Sequence, residues 1–115
     1  MIVVSDTSPI NYLILTDYIG LLEKLYGEII IPGSVFAELQ KEKAPAAVRS
    51  WSTALPVWAV IRHAGSLPDL PLDLGEREAI ALAEELDADL LLIDELKGRV
   101  RGGAQAANSR HARCN

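Results

Sequence analysis

The stretch VVSDTSPI, residues 3–10, joins a run of branched apolar residues to a carboxylate, two hydroxyls and a proline. The branched residues of IVVS (2–5) predict a short strand that is covered on both faces. Pro9 suits the first turn of a helix, and Ser8 could cap that helix. The stretch therefore predicts a strand, then Asp6 at the carboxyl end of that strand, then a helix.

The alternation of strand and helix continues along the chain. Apolar runs predict four strands, at 2–5, 28–32, 57–62 and 88–94. Periodic apolar spacing predicts helices at 8–27 with a break near Thr16 and Asp17, at 34–43, at 45–55 and at 74–86. Strands that alternate with helices are typical of an α/β fold, in which a parallel sheet carries helices on its faces.

Length and composition limit what the protein can be. Its 115 residues, of which 50% are hydrophobic, are enough for one domain with a substantial core. Sixteen acidic and eleven basic residues give a formal charge of −5. The protein could therefore bind nucleic acid only through a local basic patch or through bound cations that offset this charge. A single cysteine excludes an internal disulfide. Without a signal peptide or an apolar run of spanning length, the sequence predicts no membrane association and a cytoplasmic location.

The last eighteen residues do not continue the pattern. Residues 98–115 are rich in arginine, alanine and glycine and contain almost no large apolar side chains. The sequence therefore predicts a domain over 1–97 and a basic tail over 98–115 that is disordered or non-native. One explanation is a shift of reading frame near Arg99, and the other is a natural basic tail that contacts RNA backbone.

Four carboxylates are predicted to meet at one edge of the sheet. Ligands bind open parallel sheets at the carboxyl ends of the strands. Asp6 and Asp94 follow the first and fourth predicted strands, while Glu38 and Glu76 lie on helices that begin at the same edge. These four residues are the candidate site.

Each of the four also has an ordinary structural explanation. Asp6 could cap the first helix, and Glu76 follows Asp73 at the spacing of a capping box. Glu38 could form a surface ion pair with Lys41, and Asp94 could be a solvated strand end. All four explanations would have to hold together at positions that the topology sends to one edge.

The order and spacing of DTSP, IIIPGSVFAEL, GEREAIALA and LLLID resemble PIN-domain proteins, and more narrowly the prokaryotic VapC-type toxin ribonucleases, over about residues 2–99. The resemblance implies a three-layer α/β/α fold that here lacks its usual C-terminal elements. It further implies metal-binding carboxylates at Asp6, Glu38, Glu76 and Asp94, with Glu78 as a competitor of Glu76. The supporting polar residues that it implies are Thr7, Ser8 and Asn11.

The same resemblance implies an endoribonuclease that uses Mg²⁺ or Mn²⁺, ions that prefer the oxygen ligands of such a cluster. Two such ions could hold the scissile phosphate, activate water and stabilise the departing 3′ oxygen. The expected partners are an RNA substrate, an antitoxin protein and a second copy of the chain, with Lys97 and Arg99 as candidates for contact with the RNA backbone. The alternative is a PIN fold that no longer cleaves RNA and serves as a binding or regulatory protein.

Overall fold

The computed structural model describes residues 1–94 and 112–114, with the backbone alone for Asp94 and 112–114. Within these residues, the strands are β1 (Val3–Ser5), β2 (Ile29–Pro32), β3 (Ala59–Arg62), β4 (Leu90–Asp94) and β5 (Ala112–Cys114). They form one sheet in the order β3-β2-β1-β4-β5, and every pair of neighbours is parallel. Ser5 lies opposite Leu92, so β1 and β4 end at the same edge of the sheet.

Helices cover both faces of this sheet. In the described part of the chain they are α1 (Thr7–Leu15), α2 (Leu21–Tyr26), α3 (Gly33–Leu39), α4 (Ala46–Thr53) and α5 (Leu74–Glu85). Val3 packs in one cluster with apolar residues of α1 to α4, and its neighbour Val4 packs in a second cluster with α5. Successive strand residues point to opposite faces. The result is the predicted three-layer α/β/α architecture with a central parallel sheet.

The predicted break after the first helix is confirmed. α1 ends at Leu15 with Thr16 as its C-cap, and Asp17 follows with a positive φ of 66°. The amide of Tyr18 then donates to the carbonyl of Leu13 over 2.7 Å, and that of Asp17 donates to Ile14 over 3.1 Å. This pair of bonds is a Schellman motif, and it turns the chain into the separate helix α2.

Two local predictions are wrong. The helix predicted over 34–43 ends at Leu39, where the amides of Gln40 and Lys41 donate to carbonyls three residues earlier, over 3.2 and 3.3 Å, and the chain turns before α4. The amide of Ala44 donates to the carbonyl of Lys41 over 2.9 Å within this turn. Ser8 does not cap α1, since that helix begins at Thr7 and Asp6 occupies the N-cap position.

The predicted boundary at residue 97 lies outside the described residues, as do Lys97, Arg99 and most of the 98–115 tail. Within that tail, Ala112–Cys114 pairs in parallel with β4 and forms an edge strand that the sequence did not predict. None of the helices in the described part of the chain has the length and apolar character needed to cross a bilayer.

Candidate active site

Asp6 occupies the start of the site, directly after β1. Its backbone amide donates to the carbonyl of Leu92 over 2.9 Å, which fixes the residue against β4. The side chain is buried, with 2% of its surface exposed. Although Asp6 stands at the N-cap of α1, its carboxylate makes no capping hydrogen bond to that helix. Capping therefore does not explain why a carboxylate is placed here.

The first turn of α5 lies against this carboxylate. A Cβ added at Gly75 would lie 3.4 Å from Asp6 Oδ1 and 3.3 Å from Val35 Cγ2. The glycine thus allows α5 to approach Asp6 closely, with Glu76 as the next residue. The N-terminus of a helix carries partial positive charge, which favours carboxylates nearby. Asp6 and Glu76 are both at this edge of the sheet.

Glu76 combines a capped backbone with a buried side chain. Its amide donates to Asp73 Oδ1 over 2.9 Å, which is the Asp73 half of the predicted capping box. That bond involves the backbone of Glu76, while its carboxylate is buried with 6% of the residue exposed. Burial of a carboxylate is costly unless its surroundings compensate the charge. The capping role of Asp73 therefore does not account for the acidic side chain at position 76.

Glu38 accepts a hydrogen bond from Thr7, the residue that follows Asp6. Thr7 Oγ1 donates to Glu38 Oε1 over 2.7 Å, across the contact between α1 and α3. A hydrogen bond of this length to a carboxylate fixes the orientation of the acceptor. In the described part of the chain, Glu38 forms no ion pair with Lys41. In place of the surface ion pair that the spacing allowed, Glu38 contacts Thr7, the residue that follows Asp6 in the chain.

Glu78 has a different role from Glu76. Its Oε1 accepts from the amide and the hydroxyl of Ser34 over 2.7 and 2.6 Å, and its Oε2 accepts from the amide of Ala64 over 3.0 Å. Burial raises the pKa of Glu78, but these hydrogen bonds, with the charge of His63, outweigh it and hold the pKa below its ordinary value of 4.5. Glu78 therefore ties the start of α3 and the segment after β3 to α5.

Asp94 is placed by its backbone alone. It ends β4 at the same edge at which Asp6 follows β1, and its side chain is outside the described residues. Among the side chains that the structure does describe, no three acidic, histidine or cysteine residues form a group that could hold a metal ion. Asp6, Glu38 and Glu76 therefore do not form such a group by themselves, and a site of the four predicted carboxylates would need the side chain of Asp94.

Two of the three predicted supporting residues border a cleft of about 320 Å³ next to Glu38. Thr7 and Asn11 of α1 line one side, and Lys41 and Lys43 line the other, in the turn between α3 and α4. Ser8 is half-buried on α1 but does not line this cleft. The sequence placed both lysines on the helix predicted over 34–43. The structure places them in the turn after α3, which ends at Leu39, and the apolar periodicity gave no signal of that turn.

Comparison with known proteins identifies the family of the chain. A family model described as a PIN domain matches residues 2–107, which includes all four predicted carboxylates and extends beyond residue 97. The chain has no match among curated proteins or among solved structures. PIN domains are generally nucleases. With nearly its whole length matched, and with an α/β fold that agrees, the chain belongs to the PIN-domain family.

Proposed function

We propose that the protein is a metal-dependent endoribonuclease that hydrolyses phosphodiester bonds of RNA at the edge of the sheet marked by Asp6. The observation that carries the proposal is the placement of the Asp6 carboxylate, which is buried at a helix start without capping that helix. A carboxylate held on rigid backbone between two helix starts is suited to a task other than local structure.

We propose that the carboxylates of this edge bind Mg²⁺ or Mn²⁺ together with Asp94, whose side chain lies outside the described residues. Asp6, Glu38 and Glu76 supply carboxylate oxygens, the ligands that these ions prefer. Asp94 would complete the set from the end of β4, where its backbone lies. When bound, the ion supplies charge that neutralises the phosphate and makes water more acidic. This charge would also offset the formal −5 of the chain.

The chain's own residues would hold and orient the reacting groups. Thr7 fixes Oε1 of Glu38, so that the second carboxylate oxygen keeps one orientation. The hydrogen bond from the backbone amide of Asp6 to the carbonyl of Leu92 holds the end of β1 beside β4. Glu78 holds α3 and α5 together through Ser34, and thereby positions Glu38 and Glu76 indirectly.

In the cell, we propose that the protein acts in the cytoplasm as the toxin of a toxin–antitoxin pair, as its resemblance to VapC-type proteins suggests. A second copy of the chain and an antitoxin are the proposed partners. In support of the homodimer, the hairpin of α1 and α2 exposes several large apolar side chains, namely Tyr12, Leu15, Tyr18, Leu21 and Leu25. Apolar side chains grouped on a surface are typical of interaction sites.

Cleavage of RNA by the purified protein tests the proposal. We expect cleavage in Mn²⁺ that stops when EDTA is added, and products that carry 5′-phosphate and 3′-hydroxyl ends because water attacks the phosphate and the 3′ oxygen leaves. Products with 2′,3′-cyclic phosphate would contradict the proposal, since those ends arise from attack by the ribose hydroxyl. An absence of cleavage, together with intact RNA binding, would favour the alternative of an inactive PIN fold.

A further inference from the structure

We infer that the cleft beside Glu38, which we call the lysine cleft, binds the phosphodiester backbone of an RNA strand, with Lys41 and Lys43 as its phosphate contacts. The inference rests on the proposed function, because it supplies the path by which that substrate would reach Asp6. The lysine cleft is bordered by Thr7, Asn11, Glu38, Lys41 and Lys43.

The two lysines give one wall of the cleft a positive charge. Both are exposed, and neither forms an ion pair within the described residues. Glu42 lies between them in the sequence but does not line the cleft. Two ammonium groups on one wall attract phosphate, while the carboxylate of Glu38 repels it. A bound phosphate would therefore lie against the lysine wall, and Glu38 would remain on the side of Asp6.

The backbone holds this wall in place. The amide of Lys41 donates to the carbonyl of Glu38 over 3.3 Å, and the amide of Ala44 donates to the carbonyl of Lys41 over 2.9 Å. Pro45 then fixes the start of α4 with a φ of −56°. The turn is thus tied at both ends, so the backbone places both lysines beside the cleft before any ligand binds.

The opposite wall is polar and connects to Asp6. Thr7 borders the cleft and directly follows Asp6 in the chain. Asn11 lies one helical turn further along α1 and also borders the cleft. A hydroxyl and a side-chain amide on this side of the cleft suit an occupant that carries hydroxyl groups. A ribose phosphate combines hydroxyl groups with negative charge.

An acidic peptide is the other ligand that two lysines could attract. The position of the cleft favours RNA, because Thr7 and Glu38 belong both to the cleft and to the predicted active site. A strand that passes Asp6 with its scissile bond must place a neighbouring phosphate close by. With a formal charge of −5, the chain also needs local positive charge to hold a polyanion.

Salt-dependent binding tests the inference. The probe is a short single-stranded RNA measured by fluorescence anisotropy in EDTA, in which metal-dependent cleavage cannot occur. Each phosphate contact on a single strand contributes about 0.7 to the slope of log K against log salt. We expect Lys41→Ala/Lys43→Ala to reduce the steepness of that slope by about 1.4. If the two proteins bind equally at 1 M salt, this change corresponds to about 60-fold weaker binding at 50 mM salt.

Matched variants separate local contact from net charge and from folding. Lys24→Ala removes one exposed positive charge on α2, away from the cleft, and should leave the slope unchanged. Lys41→Arg/Lys43→Arg keeps both charges and should retain the wild-type slope. An alanine pair with the wild-type slope would overturn the inference. Lysine-dependent binding of polyglutamate, with an unchanged slope for RNA, would also overturn it and assign the cleft to an acidic peptide.

The RNA-binding test of the two lysines and the RNA-cleavage test of the proposed function can fail separately. RNA cleavage by the wild type, combined with binding that ignores both lysines, would refute the inference alone. A wild type that binds RNA through both lysines but never cleaves it would refute the proposed activity alone.

Discussion

Replacement of Glu78 by glutamine tests whether this carboxylate is structural. The three hydrogen bonds to Glu78 come from the amide and hydroxyl of Ser34 and from the amide of Ala64. A glutamine has one accepting oxygen, so its NH₂ group must face either the Ser34 amide or the Ala64 amide, and both of those are donors. One bond is lost and the other two lose the carboxylate charge.

The cost follows from the strength of these bonds. A hydrogen bond to a charged group contributes about 1.5–3 kcal/mol, and one between neutral groups about half as much. We expect Glu78→Gln to lower the free energy of unfolding by about 3 kcal/mol. For a slope of about 2 kcal/mol per molar urea, the unfolding midpoint would fall by about 1.5 M.

The pH dependence gives a second signature. Because the pKa of Glu78 in the folded protein lies below its ordinary value of 4.5, its carboxylate stabilises the fold above that pH. The contribution is lost as the pH falls through the lowered pKa. Glutamine does not titrate, so the difference in unfolding free energy between wild type and variant should be largest near neutral pH and should shrink below pH 4.5.

Urea unfolding followed by circular dichroism measures both effects. The control is Glu84→Gln on the same helix, an exposed residue whose side chain forms no hydrogen bond or ion pair in the described part of the chain. This control should change the unfolding free energy by less than about 0.5 kcal/mol. If Glu78→Gln were equally mild, the structural role of Glu78 would be refuted, and Glu78 would again compete with Glu76 as a metal ligand.

Two further substitutions address the site and its scaffold. Thr7→Ala removes the hydrogen bond to Glu38 and should weaken Mn²⁺ binding about 10-fold or more in a calorimetric titration, whereas Thr7→Ser should retain wild-type affinity. Equal affinity of Thr7→Ala and wild type would refute the orienting role of Thr7. Asp73→Ala removes the cap on the Glu76 amide and should lower the unfolding free energy by about 1 kcal/mol in urea, against no change for the exposed Asp69→Ala.

Most of the fold could be predicted because the chain is locally consistent. The apolar strand runs and the break at Asp17 follow from side-chain type and from the turn chemistry of aspartate. The end of the third helix could not be read from periodicity, since 34–43 remains amphipathic after the backbone has left the helix at Leu39. The short strand Ala112–Cys114 has no sequence signal, because its pairing with β4 is a tertiary contact.

In the candidate site, too, some features follow from the sequence and others depend on tertiary contacts. Parallel topology was enough to predict that Asp6 and the end of β4 share an edge. The structural role of Glu78 could not be predicted from the sequence. Both Glu76 and Glu78 are buried on α5, and the hydrogen bonds that Glu78 accepts come from Ser34 and Ala64. Those donors come from segments that are distant in the sequence.

The most direct test of the central claim is the initial rate of RNA cleavage in Mn²⁺ by wild type, Asp6→Asn and Asp17→Asn. Asp17 is exposed and has a positive φ that asparagine tolerates, so its substitution is a matched change away from the site. We expect Asp6→Asn to lose at least about 100-fold in rate while Asp17→Asn matches wild type. Cleavage by folded Asp6→Asn at the wild-type rate would contradict the assignment of Asp6 to the active site.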